Sequence, residues 1–268
     1  MTDLLALSSA VIDGQTSAAE VGPMNRINFE LSEVAENIAV VEAFSHCVLF
    51  GTDEGLLAFD TSGVQGGERV VSAIRRWRSD PFHSLIYTHG HLDHVGGCGA
   101  FMKDAEERGY PSPRVVGHEN VPKRFDRYNF TDGYNNVINQ RQFGQFSRRG
   151  YEIQDGNSFL PSGAARPDLT YRDSLDLDIG GLRISLNHAK GETDDHTWAW
   201  LPDHKAICAG DFFIWCFPNA GNPQKVQRGA SPQDQARAVL IPPSASTPGE
   251  PRRSPQAPDP TGLIHMPW

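Results

Sequence analysis

The segment Thr88-His89-Gly90-His91-Leu92-Asp93-His94 constrains this chain more than any other part of it. It follows Ser84 to Tyr87, an apolar run that reads as a short strand. His89 and His91 stand two apart at the end of that strand, where side chains at i and i+2 point the same way. Two imidazoles can therefore grip one metal ion from a single face. Asp93 and His94 follow where the chain turns towards a helix, and they can address a second position close by. Gly90, Gly96 and Gly97 let the backbone turn tightly around the cluster without a Cβ in the way. A mixture of imidazole and carboxylate suits zinc, with manganese or iron also competent. A lone histidine is ordinarily a core or surface residue, but four such ligands in six residues after an apolar strand point to a metal centre.

The rest of the chain supplies a frame for that centre. From Asn37 onwards short apolar runs alternate with turn residues. Ile38 to Phe44, Cys47 to Phe50 and Leu56 to Phe59 read as strands, the last two joined by a hairpin turn at residues 51–55. Asp60 to Gly63 closes that run. Val70, Val71, Ile74 and Trp77 recur at helical spacing, with Arg75, Arg76 and Arg78 expected to face out. Gly99 to Arg108 reads as a helix ended by Gly109 and Pro111, and Arg114 to Val116 as another strand. The stretch 119–166 is polar, aromatic and weakly periodic, which predicts a long irregular segment able to form a lid or pocket wall. Leu175, Leu177 and Ile179, then Leu182, Ile184 and Leu186, alternate about Gly180-Gly181 as a hairpin. Thr197 to Leu201 and Lys205 to Ala209 add two strands.

Composition excludes several classes. A length of 268 residues suits one large domain or two small ones. Hydrophobic residues make up 38% and charged residues 21%, as in soluble globular proteins. A net charge of −9 argues against a nucleic-acid partner and against docking on anionic membranes. Leu4 to Val11 is too short to span a bilayer, and no basic residue precedes it as in a signal peptide, so membrane insertion is not expected and a cytoplasmic location is. Cys47, Cys98, Cys208 and Cys216 lie in or near apolar runs without paired spacing and read as buried thiols. Residues 1–27 read as an N-terminal arm and 28–228 as the folded domain. Residues 229–268 hold 9 of the 19 prolines and are expected to be disordered.

The run T-H-G-H-L-D-H-V-G-G resembles the H-x-H-x-D-H signature of the metallo-β-lactamase superfamily. Asp60 at a strand end also resembles that family's approach to its site, and the resemblance covers residues 28–228. It implies an α/β fold of the αββα sandwich type, two mixed sheets packed face to face with helices outside. The site would lie at one edge, built from loops. By this resemblance His89 and His91 bind a first metal ion, and Asp93 and His94 a second. Where many members have G-H-T, this chain reads Gly191-Glu192-Thr193, so Glu192 stands in the third-ligand place. A carboxylate is a competent ligand there, and the replacement resembles alkylsulfatase-type members. His196 is the rival ligand, and His188 is read as a strand-end residue. Cys208-Ala209-Gly210-Asp211 resembles the family's G-D motif, whose aspartate bridges both ions.

The implied chemistry is metal-assisted hydrolysis, in which two divalent ions generate a hydroxide oriented by Asp93 and Asp211. The implied substrate is a small-molecule ester, with an alkyl sulfate ester first. A lactone or thioester is the enzymatic alternative. A metal-binding homologue with weak or no catalysis is the alternative of another class, because no later P-G-H-G-like segment supplies a last histidine; His265 lies in the proline-rich tail. A di-iron redox relative is a third reading, which iron absorbance or a flavin partner would sustain, and the sequence offers no flavin motif. Phe212, Phe213, Trp215 and Phe217 can line a channel or a core. Arg141, Lys225 and Arg228 can neutralise an anion or lie on a solvated surface.

Overall fold

The computed structural model describes residues 3–21, 27–147, 158–212 and 264–265. Two short helices, α1 (Leu4–Ile12) and α2 (Ala18–Val21), come first, and Asp3 caps α1 by accepting from the Ala6 amide. The strands β1 (Leu31–Ala35), β2 (Ile38–Val41), β3 (Cys47–Thr52) and β4 (Gly55–Phe59) form an antiparallel meander. Helix α3 (Gly67–Trp77) then crosses over to β5 (Phe82–Ile86), which runs parallel to β4. The ligand-rich turn leads through α4 (Leu92–Val95) into α5 (Cys98–Glu107), and β6 (Arg114–His118) pairs parallel to β5. Helices α6 (Asn120–Phe130) and α7 (Asp132–Ser147) precede β7 (Leu169–Tyr171), the last strand of a seven-stranded mixed sheet ordered β1 to β7.

The second sheet is built from β8 (Ser174–Ile179), β9 (Leu182–His188), β10 (Thr197–Leu201) and β11 (Ala206–Cys208). Both glycines of the β8–β9 turn have positive φ, 54° at Gly180 and 82° at Gly181, as a two-residue hairpin turn requires. Strand β12 (Ile264–His265) adds a parallel edge, pairing Ala206 with Ile264 and Ile207 with His265.

The two sheets pack face to face. Val48, Phe50, Leu57, Phe59 and Ile86 of the first meet Ile184, Leu186, Ala199 and Leu201 of the second in one buried cluster. The other face of the first sheet buries Leu49, Ala58, Leu85 and Tyr87 under α3, α5 and α6, through Val70, Ile74, Phe101, Val121 and Phe125. The molecule is thus an α/β structure of two mixed sheets with helices.

Several expectations change. Residues 119–166 are not one irregular segment: α6 and α7 occupy most of the first half. Val121, Phe125 and Tyr128 of α6 are buried at helical spacing, a signal diluted by the polar residues between them. Arg75 does not face out, because its guanidinium is buried against Asp104 at 2.6 Å and lies over the Phe82 ring. Strand β1 was not anticipated. Cys47, Cys98 and Cys208 are buried free thiols as expected, and Cys216 lies outside the described residues. The tail expected to be disordered also lies outside them, apart from β12. No helix among the described residues is long and apolar enough to cross a membrane.

Candidate metal centre

Three segments of the first sheet and two of the second converge at one edge of the sandwich. From the first come the β2–β3 loop with Ser45, the end of β4 with Asp60, and the turn after β5 with His89 to His94. From the second come the β9–β10 loop with Glu192 and the residues after β11 with Asp211. The carboxyl ends of the parallel strands β4 and β5 lie here, the usual place for a site in such a sheet.

His89, His91 and Glu192 each offer a ligand atom within 4.8 Å of the others, and so do His89, His94 and Asp211. Glu192 Oε2 lies 3.6 Å from His89 Nε2 and 3.4 Å from His91 Nδ1. His94 Nε2 lies 3.5 Å from both Asp93 and Asp211. The Nε2 atoms of His89 and His91 are buried and take no hydrogen bond. A buried polar nitrogen without a partner is costly, and a cation held by the imidazoles of His89 and His91 and the Glu192 carboxylate would answer that cost at His89 Nε2, which faces Glu192. The donor set therefore fits a divalent ion of the zinc type.

Local electrostatics favour a cation at the first group, while His94 in the second is held charged by its carboxylate neighbours. Burial, and then the neighbouring His94 and His91, hold His89 well below the usual imidazole range, so it stands neutral with a lone pair to offer. Burial works in the same direction on His94, but Asp211, Asp93 and Asp60 outweigh it and keep that imidazole charged. Burial would raise Glu192, yet His89 and His91 hold it far below the ordinary carboxylate range. Asp211 is pushed up by burial, with the Glu192 carboxylate adding to the effect and His94 opposing it.

The surrounding residues fix these side chains. Asp60, wholly buried, accepts from the Thr88 amide and hydroxyl at 2.7 Å each and engages His94 Nδ1 at 2.7 Å. Ser45, unmarked in the sequence, donates to Asp93 at 2.7 Å and lies 3.1 Å from His94 Nε2. Gly210, at φ 53°, brings its backbone so close to Thr88 and His196 that a Cβ would lie 2.7 Å from each.

The geometry brings His89, His91, His94, Glu192 and Asp211 together. Asp93 flanks His94 without entering either group of three. His196 joins neither group: its ring stacks on His89 with centroids 4.6 Å apart and packs against Phe212. His188 is turned away, bonded to the His196 carbonyl and stacked on His118. Phe212 is buried with Trp198, Ile207 and Ala209, and Arg141 is exposed on α7. Phe213, Trp215, Phe217, Lys225 and Arg228 lie outside the described residues.

Comparison with known proteins gives a consistent kinship. The linear primary-alkylsulfatase of a Pseudomonas species is 27% identical over 178 residues, covering 59% of this chain and 31% of that protein. The alpha subunit of a 2,4-dinitroanisole O-demethylase from a Nocardioides species is 27% identical over 120 residues, covering 42% of this chain and 34% of its own length. The chain thus spans about a third of the length of these curated relatives. Among solved structures, a double mutant of the sec-alkyl sulfatase PisA1 superposes with a TM-score of 0.54 at 19% identity, over 69% of this chain and 31% of that one. A metallo-beta-lactamase from Pontibacter korlensis gives 0.52 at 18%, over 78% and 86%. Such structural likeness shows the fold alone. The family model described as the metallo-beta-lactamase superfamily matches residues 40–218, more than half of the chain, and the chain belongs to that superfamily.

Proposed function

We propose that this chain is a metal-dependent hydrolase of ester-type small molecules, with an alkyl sulfate ester as the first substrate class and two divalent ions, zinc before manganese or iron, as its cofactors. The observation that carries the reading is the pair of overlapping donor groups, His89/His91/Glu192 and His89/His94/Asp211, with buried imidazole nitrogens that have no hydrogen-bond partner. In this reading His89, His91 and Glu192 would hold one ion, Asp93 and His94 would hold the other, and Asp211 would serve both. Ions bound there would supply Lewis acidity and lower the pKa of a water molecule towards neutrality.

The chain's own groups do the rest. Asp93 and Asp211 accept hydrogen bonds from the attacking water and aim it at the ester. Asp60 holds His94 by its Nδ1 and leaves Nε2 facing the site. The stacked ring of His196 and the side chain of Phe212 close the back of the site against solvent. The name of the Pseudomonas relative, a linear primary-alkylsulfatase, supports the sulfate-ester choice. The −9 charge supports a small-molecule substrate over nucleic acid or an anionic membrane.

Metal quantitation coupled to hydrolysis of sulfate, lactone and thioester substrates tests this. About two equivalents of metal with alkyl-sulfate turnover is the expected result. Turnover confined to the lactone or thioester would move the substrate class and keep the enzyme. One equivalent or fewer, with no turnover on any substrate, would overturn the reading in favour of a metal-binding homologue without catalysis.

A further inference from the structure

Arg124 and Asp195 form an ion pair beside the donor groups, and neither residue carries a ligand atom in them. Arg124 Nε donates to Asp195 Oδ2 at 2.8 Å, with side chains only 2% and 0% exposed. The same Asp195 oxygen accepts from the Gly90 amide at 3.0 Å. Arg124 Nη2 reaches Asp194 at 2.6 Å, and the Asn120 side chain donates to the Asp194 carbonyl at 3.1 Å. Gly90 lies between His89 and His91; Asp195 lies three residues after Glu192 and directly before His196. A Cβ on Gly90 would come within 2.8 Å of Arg124 Cδ and 2.9 Å of Asp195 Oδ2, so the turn seats against the pair without spare room.

We infer that Arg124 and Asp195 are positioning residues that lock the His89–His91 turn of the first sheet to the Glu192 loop of the second. This inference rests on the metal-binding reading above. The three side chains of the first donor group come from two loops with no strand pairing between their sheets. A buried carboxylate that accepts from one loop's backbone, and is itself held by a guanidinium on α6, fixes the separation of those loops. Asp195 Oδ2, Arg124 Nε and Arg124 Nη2 are bonded at short range, while Asp195 Oδ1 and Arg124 Nη1 are buried without a hydrogen-bond partner, so removing either residue would leave the other's charge stranded. Outer residues of this kind set how well the ligands converge on a cation, and their loss typically weakens binding about 10- to 100-fold.

The test compares full-length Arg124→Lys and Asp195→Asn with Asp104→Asn. The last breaks the Arg75–Asp104 pair between α3 and α5, a buried pair of the same type remote from the donors. Zinc affinity is measured by chelator competition, ligand geometry by the visible spectrum of the cobalt(II)-loaded protein, and stability by the Tm of the metal-free protein. Expected is a loss of zinc affinity of about tenfold or more with an altered cobalt spectrum in Arg124→Lys and Asp195→Asn. Asp104→Asn should lower Tm and leave both metal readouts unchanged. Unchanged affinity and spectrum in both site variants would overturn the inference, as would failure of both to fold while Asp104→Asn folds. If the parent chain itself binds neither ion, the metal-binding reading fails rather than the clamp.

Discussion

Asp60 holds a left-handed backbone conformation, φ 58°, that few residues other than glycine, asparagine and aspartate adopt, and it is wholly buried. Its two oxygens serve the Thr88 amide, the Thr88 hydroxyl and His94 Nδ1. Asp60→Asn keeps the backbone preference but turns one acceptor into a donor, which must then face another donor. The expected outcome is a loss of metal affinity of about 10- to 100-fold, measured by chelator competition, and unchanged affinity would refute the role of Asp60 in orienting His94. Glu192→Gln should weaken metal binding more than His196→Ala, because Glu192 faces both His89 and His91 while His196 packs behind His89. The reverse order would move the ligand role to His196. The candidate donors His89, His91 and His94 could be picked out in the sequence because their close spacing already places them together. Ser45 and Arg124 could not, since Ser45 meets Asp93 48 positions away and Arg124 meets Asp195 across 71, with no local pattern to mark either.

Helices α3 and α5 are tied by Arg75, which meets Asp104 through Nε and Nη2, while Arg108 grips the same carboxylate from one turn further along α5. Burial would raise the Asp104 pKa, but the two guanidinium groups hold it below the ordinary carboxylate value. A carboxylate depressed in the folded state contributes stability that is present above its unfolded value, about 3.9, and is lost as pH falls through the folded value. The Tm gap between the parent chain and Asp104→Asn should therefore be full near neutrality and shrink below about pH 4. A gap independent of pH would show that Asp104 acts by packing alone. Elements whose period is local were readable: the β8–β9 alternation about Gly180-Gly181 predicts its hairpin, and Val70, Val71 and Ile74 predict α3. Helix α7 was not, because its apolar residues do not gather on one face, and Arg75 was misjudged because its partner lies 29 residues on.

At the scale of the molecule, the donor atoms come from both sheets, with His89, His91 and His94 after β5, Glu192 between β9 and β10, and Asp211 after β11. Strand pairing stays within each sheet, so the sandwich is held by side-chain packing and by whatever bridges the loops at this edge. That order of strands was not readable from periodicity, which reports each strand's faces and not its neighbours; the superfamily motif carried the fold instead. A cation bound by side chains of both sheets stabilises the folded chain alone, because the unfolded chain cannot gather ligands so far apart in sequence. Free metal at about 100 times Kd adds about 2.7 kcal/mol. For a domain of this size that corresponds to a rise in Tm of about 5 to 10 °C. Chelation should lower the Tm of the parent chain by about that much, and added zinc should restore it. His91→Ala should start near the chelated value and respond little to either treatment. An equal response of parent and variant to the chelator would mean that the stabilising ion binds elsewhere, and the edge between the sheets would then be held by Arg124 and Asp195, by the Thr197 amide donating to the Thr88 carbonyl at 2.6 Å, and by packing.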